Sequence, residues 1–505
     1  MTKAGISMLD AIIEKMLSFK DRLALGLMIL PLNTLGYHKY LDKIFEYLHD
    51  SKSWRVRILL AEAYLLLNKK DQFDQLISEL LELFTNDPSK NYWSLSFIIP
   101  YLISRNDEKA FTIFNELMKL FNEKIENKSL DVIDLNDFFE VFFRYSLLFR
   151  VDISKILQPI QEMYMKIDSF ADFLDILSIY FRHSVFISPP RTTIEKIYED
   201  IFKSLDKRDY LNVRFFSAFL LALSTVNTSK ALEEYSAIKK NFPILVNPLS
   251  LYSSIKNLRA RAGLLYALTS KEFSSEFFSE VDEIMYELAD FAKHLRWKYN
   301  SWRRGEQVSA DDIEEFVSEF KDIAEEEQLG EKELSEDLSY YFDVIINYLA
   351  DSIEALVTNV LNLCLSSGEK APDEIISKLI KLIDSVPMFD PSFKATIFSD
   401  LAIIEALTSL DPHLLEIAIR NTKAFCRREN KFYCDDLIEL VGNRIGRIYY
   451  VTRDKAVLDF VLTLIEREDF FKNNRDLLRG FASGLYGLIT LIDYSEKYCT
   501  MSSCH

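Results

Sequence analysis

No glycine occurs between Gly36 and Gly263, a run of 226 residues in a chain of 505. Glycine is the residue that reaches positive φ without steric penalty and lets a phosphate or a second backbone approach closely. Nucleotide-binding turns of the Rossmann or P-loop kind need several such positions, so neither is expected in the first half. Tight β-hairpins, which draw on glycine-containing turns, are disfavoured there for the same reason. The whole chain carries only 12 glycines and 12 prolines, while 49% of it is hydrophobic and 27% charged. That balance describes a long helical chain with ample core, not a disordered one.

Apolar residues recur at helical spacing along most of the sequence. Leu59, Leu60, Ala63, Leu66 and Leu67 form one stripe. Phe73, Ile77, Leu80, Leu81 and Phe84 form the next, beyond the polar break Asn68-Lys69-Lys70-Asp71. Asp390-Pro391 and Asp411-Pro412 set a capping acid before a first-turn proline, and Thr192-Thr193-Ile194-Glu195 has the form of a capping box. Alternation never outlasts a few residues, so no strand is expected. The helices come in pairs whose first members start near residues 20, 54, 91, 133, 168, 211 and 252, and again near 391, 431 and 470. Spacings of about 34–43 residues mark stacked helical hairpins that bury their apolar faces on one another. Between the two series Lys271–Tyr299 and Leu334–Leu365 read as longer helices, and Ser366–Pro372 reads as a linker. The expected fold is all-α, an α-solenoid of stacked antiparallel helical hairpins that leaves an open trough. It divides into an N-terminal array (1–268), a long-helix middle module (269–368) and a C-terminal hairpin array (369–505).

Residues 54–245 carry a more specific pattern. Tyr101 precedes Ala110 by nine residues, and Phe114 and Leu117 follow. Ala231, Tyr235 and Ile238 repeat the second-helix part, with Pro243 beyond them and Ala222 at the position of the aromatic. Tyr64, Phe73, Ile77 and Leu80 fit once more, with Phe73 in place of the small residue. A small side chain there lets two antiparallel helices approach while the larger ones fill the next groove. The segment resembles a degenerate tetratricopeptide-like (TPR-like) array, although Ala61, Ile98 and Phe219 stand where that family has a first-helix glycine.

The net charge is −18, and the stretch from Glu306 to Asp343, with 15 acidic residues against two lysines, supplies −13 of it. Overall acidity argues against non-specific attachment to nucleic acid or anionic lipid. Cys364, Cys426, Cys434, Cys499 and Cys504 are odd in number and sparse, which does not read as a disulfide framework. The longest uncharged runs, such as Leu23–Tyr37 and Gly480–Ile492, span 13 to 15 residues, short of the roughly 18 that a membrane helix requires. Asp10 and Glu14 interrupt the N-terminus before an apolar run builds, so no signal peptide is expected and a cytoplasmic location is.

The most unusual segment runs from Lys293 to Arg304. Lys293, His294, Arg296, Lys298, Arg303 and Arg304 alternate there with Trp297, Tyr299 and Trp302. Cations beside flat aromatics suit anchoring at a protein interface, or base stacking with phosphate contacts. Basic residues at a helix C-terminus also complement its dipole, and the acidic run that follows could neutralise them across a hairpin. Lys293, Arg296, Trp297, Trp302, Arg303 and Arg304 are the candidate partner-binding residues.

Asp435-Asp436-Leu437-Ile438-Glu439 and Asp311-Asp312-Ile313-Glu314-Glu315 match the spacing with which helical isoprenoid synthases hold magnesium, and Asp168, Asp172 and Asp175 form another acidic face. Cys499, Cys504 and His505 are too few for a metal centre. Gly480, Gly484 and Gly487 share one helical face and suit a close helix crossing or a dimer contact. The function expected is a non-catalytic scaffold whose concave helical surface binds a protein or peptide partner, with no cofactor and no metal. The alternatives are a magnesium-dependent all-α enzyme using paired carboxylates, and a nucleic-acid-binding helical repeat.

Overall fold

The computed structural model describes residues 7–247, 250–304, 338–368, 370–407, 412–466, 470–471 and 474–501. Among these, helix is the only regular structure. The first helices are α1 (Met8–Phe19), α2 (Arg22–Thr34), α3 (Leu41–His49), α4 (Trp54–Leu66), α5 (Lys70–Asn86), α6 (Pro88–Asn91), α7 (Leu95–Ser104) and α8 (Lys109–Glu126). Next come α9 (Val132–Leu148), α10 (Leu157–Lys166), α11 (Phe170–Arg182), α12 (Arg191–Asp200), α13 (Val213–Ser224), α14 (Thr228–Lys239), α15 (Leu251–Leu264) and α16 (Ser274–Arg303). The last are α17 (Leu338–Ser367), α18 (Asp373–Ser385), α19 (Pro391–Ala406), α20 (Pro412–Cys426), α21 (Lys431–Thr452), α22 (Lys455–Glu466), α23 (Arg475–Ile492) and α24 (Ser495–Met501).

The helix ends show how the chain manages without glycine. Lys20, Asn68, Asn106, Lys128, Arg150, Asp168 and Arg453 all adopt positive φ, between 50° and 57°. At five of these ends the amide that follows reaches back to close a Schellman turn. Lys69 donates to the Tyr64 carbonyl (2.8 Å), Asp107 to Leu102 (3.0 Å), Ser129 to Lys124 (2.8 Å), Val151 to Ser146 (2.8 Å) and Ser169 to Tyr164 (3.0 Å). A left-handed non-glycine residue costs on the order of 1 kcal/mol. Satisfying orphan carbonyls offsets that cost.

Side chains cap the starts of α1, α2, α9, α14, α19, α21 and α23, whereas others, α4 and α13 among them, begin without one. The Asp390 carboxylate caps α19, accepting from the Ser392 amide at 2.7 Å, while Asp411 lies outside the described residues. The capping box expected at Thr192–Glu195 does not form. Helix α12 begins at Arg191, and the Thr192 and Thr193 hydroxyls donate to Asp152 at 2.8 and 2.9 Å. With Pro190 at the N-cap, Thr192 already lies inside the first turn, where its hydroxyl donates to a carboxylate 40 residues away in place of accepting a cap hydrogen bond.

Helices pair as α2 with α3, α4 with α5, α7 with α8, α13 with α14, α19 with α20 and α21 with α22. The residues behind the tetratricopeptide resemblance lie on such pairs. Tyr101 lies in the last turn of α7, and Ala110, Phe114 and Leu117 are buried along α8. Phe73 of α5 meets the Tyr101 ring of the next pair edge-on, centroids 4.9 Å apart. Helix α9 is apolar on several faces and buries Phe138, Phe139, Phe142 and Phe143 completely.

First helices also pack on one another, α7 on α9, α9 on α11, α11 on α13 and α13 on α15. The succession continues from α15 to α17, α19, α21 and α23. Helix α23 then packs on α2, and α24 packs on α9. The trough expected along the N-terminal pairs is therefore covered around α2 and α9 by the chain's own C-terminal helices. Arg479 of α23 pairs with Asp21 at 2.8 Å, and the Asn33 amide donates to Tyr494 at 3.0 Å.

Two further differences from the sequence reading have simple causes. Within α17, Tyr340–Ser367 is long and apolar enough to cross a bilayer, yet 67% of its most apolar window is buried, the helix packing on α15 and α19. Cys426 and Cys434 form a disulfide, their Cα atoms 5.0 Å apart, because the turn between α20 and α21 brings neighbouring helix ends together. The cysteine count concealed that close pair.

Candidate functional site

The basic and aromatic segment forms the last turns of α16. Lys293 and Arg296 line a groove of about 390 Å³ between α16 and α18. Met285, Ala289, Ala292 and Leu382 supply its apolar floor, and Lys378 and Lys381 of α18 bring the cations on its rim to four. Asp282, the acidic residue of the lining, pairs with Lys378 at 3.3 Å. Two aromatic side chains stand out in solvent beside this groove, Tyr286 at 73% and Trp297 at 64% exposure. Lys293 reaches Asp290 only at 3.4 Å and stays largely in water.

The other predicted residues lie further along the helix. Arg303 is exposed, its guanidinium 5.8 Å from the Tyr299 ring, and Tyr299 in turn packs edge-on against Phe342 of α17. Arg304 Nε donates to the Asn300 carbonyl at 3.2 Å. Trp302 falls in the final turn, and its side chain lies outside the described residues. The structure thus brings Lys293 and Arg296 to the groove and leaves Trp297, Arg303 and Arg304 beyond its lining. The remaining two tryptophans, Trp54 and Trp93, stack on each other at 4.9 Å where α4 meets the turn before α7.

Among the described residues the paired acids do not gather at one point. Asp435 and Asp436 lie in the early turns of α21, and Glu439 pairs with Arg479 at 3.3 Å. Asp172 accepts from the Asn136 amide, and Asp175 pairs with Arg214 at 3.3 Å. The Asp311–Glu315 motif, Cys504 and His505 lie outside the described residues. Among the described residues no three metal-ligating side chains gather at one point.

Sequence reasoning missed a polar interior. Glu62 of α4 has no exposed surface and accepts hydrogen bonds from Tyr145 of α9 (3.2 Å), Tyr486 of α23 and Tyr498 of α24. Burial pushes the Glu62 pKa up, while the Arg144 charge and the three phenols pull it back. Arg144 lies over the Tyr486 ring at 5.1 Å and donates to the Thr490 hydroxyl at 3.4 Å.

Next to it, Arg182 ends α11, His183 opens the turn that follows, and Arg447 projects from α21. Burial, then the charges of Arg144, Arg182 and Arg447, push the His183 pKa down to about 3. Burial and the neighbouring Arg444 lower Arg447 to about 10, and burial and Arg214 lower Arg182. The signal available in sequence was weak. Glu62 is the one charge between Ile58 and Leu67, and Arg144 the one charge between Val141 and Phe149.

No family model, no curated protein and no solved structure matches this chain.

Proposed function

We propose that the chain is a non-catalytic scaffold of helical hairpins that docks an acidic amphipathic segment of a partner protein in the groove between α16 and α18. The observation that carries this reading is the lining itself, four cations, one of them paired with Asp282, around an apolar floor, with Trp297 exposed at the position after Arg296 on α16. Alanines at 289 and 292 keep the floor shallow enough for a helix to approach closely. An amphipathic helix laid in such a groove buries its apolar face and pairs its flanking carboxylates with the rim. Charge complementarity then steers encounter and suppresses basic competitors, and an exposed indole is a typical anchor.

The test is fluorescence anisotropy with labelled 18-residue peptides of alternating Glu- and Leu-rich faces, against the same peptides with lysine for glutamate. The acidic peptide is expected to bind at micromolar concentration and weaken with added salt. The charge reversal Lys378→Glu with Lys381→Glu should lower its affinity about tenfold or more, equivalent to at least ~1.4 kcal/mol. Equal affinity for both peptides, or an unchanged affinity in the reversed variant, would refute the proposal. Retention of single-stranded RNA in place of the peptide would transfer the groove to the nucleic-acid reading.

A further inference from the structure

Large aromatic side chains usually lie inside, so neighbouring exposed ones at a rigid point of the fold ask for an explanation. Phe432 and Tyr433, the second and third residues of α21, are 69% and 54% exposed. Their rings meet edge-on, centroids 5.7 Å apart, and so form one apolar knob. Its backbone is held on two sides. The Asn430 side chain caps α21, accepting from the Phe432 and Tyr433 amides at 3.0 and 3.3 Å. The Cys426–Cys434 disulfide ties the end of α20 to the start of α21. Arg427, Arg428 and Lys431 flank the knob, all exposed, and among the described residues none of them makes an ion pair. Glu429 is the one acid between the two cysteines, and Asp435 and Asp436 follow further along α21. Phe471 lies under Lys423 of α20, its ring 5.8 Å from the ammonium, which brings the partly exposed Phe470 to the same end of α20.

We infer that the turn from Cys426 to Cys434 docks the protein on an anionic lipid surface. Phe432 and Tyr433 enter the headgroup region, and Arg427, Arg428 and Lys431 meet the lipid phosphates and carboxylates. Apolar side chains ringed by cations match the layers of such a bilayer, where negative headgroups cover the acyl chains. Aromatic rings settle at that boundary, the tyrosine hydroxyl staying in the polar layer. A stable protein interface draws on about 20–30 residues a side, more than this short turn presents. The net charge of −18 opposes the contact only weakly, because screening limits electrostatic reach to about 8–10 Å and leaves the local cations in control. Cap and disulfide keep the knob in shape, so little conformational freedom is lost on contact. The turn is separate from the α16–α18 groove, and neither proposal needs the other.

The test is co-sedimentation of the full chain with vesicles of phosphatidylcholine alone and of phosphatidylcholine with about a third phosphatidylserine. The protein is expected to pellet with the anionic vesicles, to do so less as salt rises, and to stay in solution with the neutral ones. Arg427→Glu with Arg428→Glu should lower the affinity about tenfold or more, and so should Phe432→Ser with Tyr433→Ser. Equal binding to both vesicles, no binding to either, or an undiminished affinity in either double variant overturns the site. So does capture of a polyglutamate peptide through the same residues without vesicle binding, which would assign the turn to a protein partner. Phe432→Trp, a single change at an exposed ring, decides should a double variant fail to fold. Its emission is expected to shift to the blue when anionic vesicles are added, relative to the unaltered protein, and an unshifted spectrum overturns the site equally.

Discussion

A carboxyl group with no exposed surface is costly to bury unless its oxygens are hydrogen-bonded, and Glu62 meets that condition only through tyrosines from three other helices. Glu62→Ala leaves those buried phenols without an acceptor, and a loss of at least about 3 kcal/mol is expected. Tyr498→Phe removes one donor and should lower stability by about 1 kcal/mol. Urea unfolding of both variants checks the order, and equal small losses would mean that the cluster is loosely held. In sequence, Ala61-Glu62-Ala63 looks like any solvated position on an amphipathic helix. The phenols that accept its burial lie 83, 424 and 436 residues away, so no local pattern encodes them. The candidate groove was legible in part for the opposite reason. Lys293 and Arg296 sit within four residues of one helix, whereas Lys378 and Lys381 join them only through packing.

Helices α21 and α23 cross at backbone contact. A Cβ at Gly480 or Gly484 would fall on the carbonyl oxygens of Glu439 and Asn443, and one at Gly442 or Gly446 on those of Leu477 and Phe481. Backbone cannot move aside as a side chain can, so Gly484→Val should separate the helices and cost about 3 kcal/mol or more. Gly487 occupies the same face but meets nothing within 4 Å, since it lies beyond the crossing. Gly487→Ala should therefore raise stability, by about 1 kcal/mol from helix propensity alone. Thermal melts followed by circular dichroism distinguish the two. A destabilising Gly487→Ala would show that the crossing extends further than this geometry allows. The close crossing was readable from the four-residue spacing of Gly480 and Gly484, but which helix they cross was not. A small-residue face announces a near neighbour without naming it.

Over the whole molecule, contact between α23 and α2 joins the two ends of the chain. An array open at both ends would lose little beyond its last pair on truncation, because each unit leans only on its neighbours. Here, ending the chain after Asn474 removes Arg479 from Asp21, strips Tyr486 and Tyr498 from Glu62, and exposes the buried face of α2. Such a chain is expected to lose cooperative unfolding and to self-associate, as size-exclusion chromatography and circular dichroism would report. A monomer retaining all remaining helicity would instead favour independent units. Sequence alone determined that this chain is helical and, to within a few residues, where the first helix of each of several pairs starts, because periodicity, caps and breaks act over one or two turns. The tertiary structure decided that the ends meet, that α17 is a core helix and that Glu62 goes inside. An apolar stripe requires only that a face be covered, and what covers it depends on surfaces hundreds of residues apart.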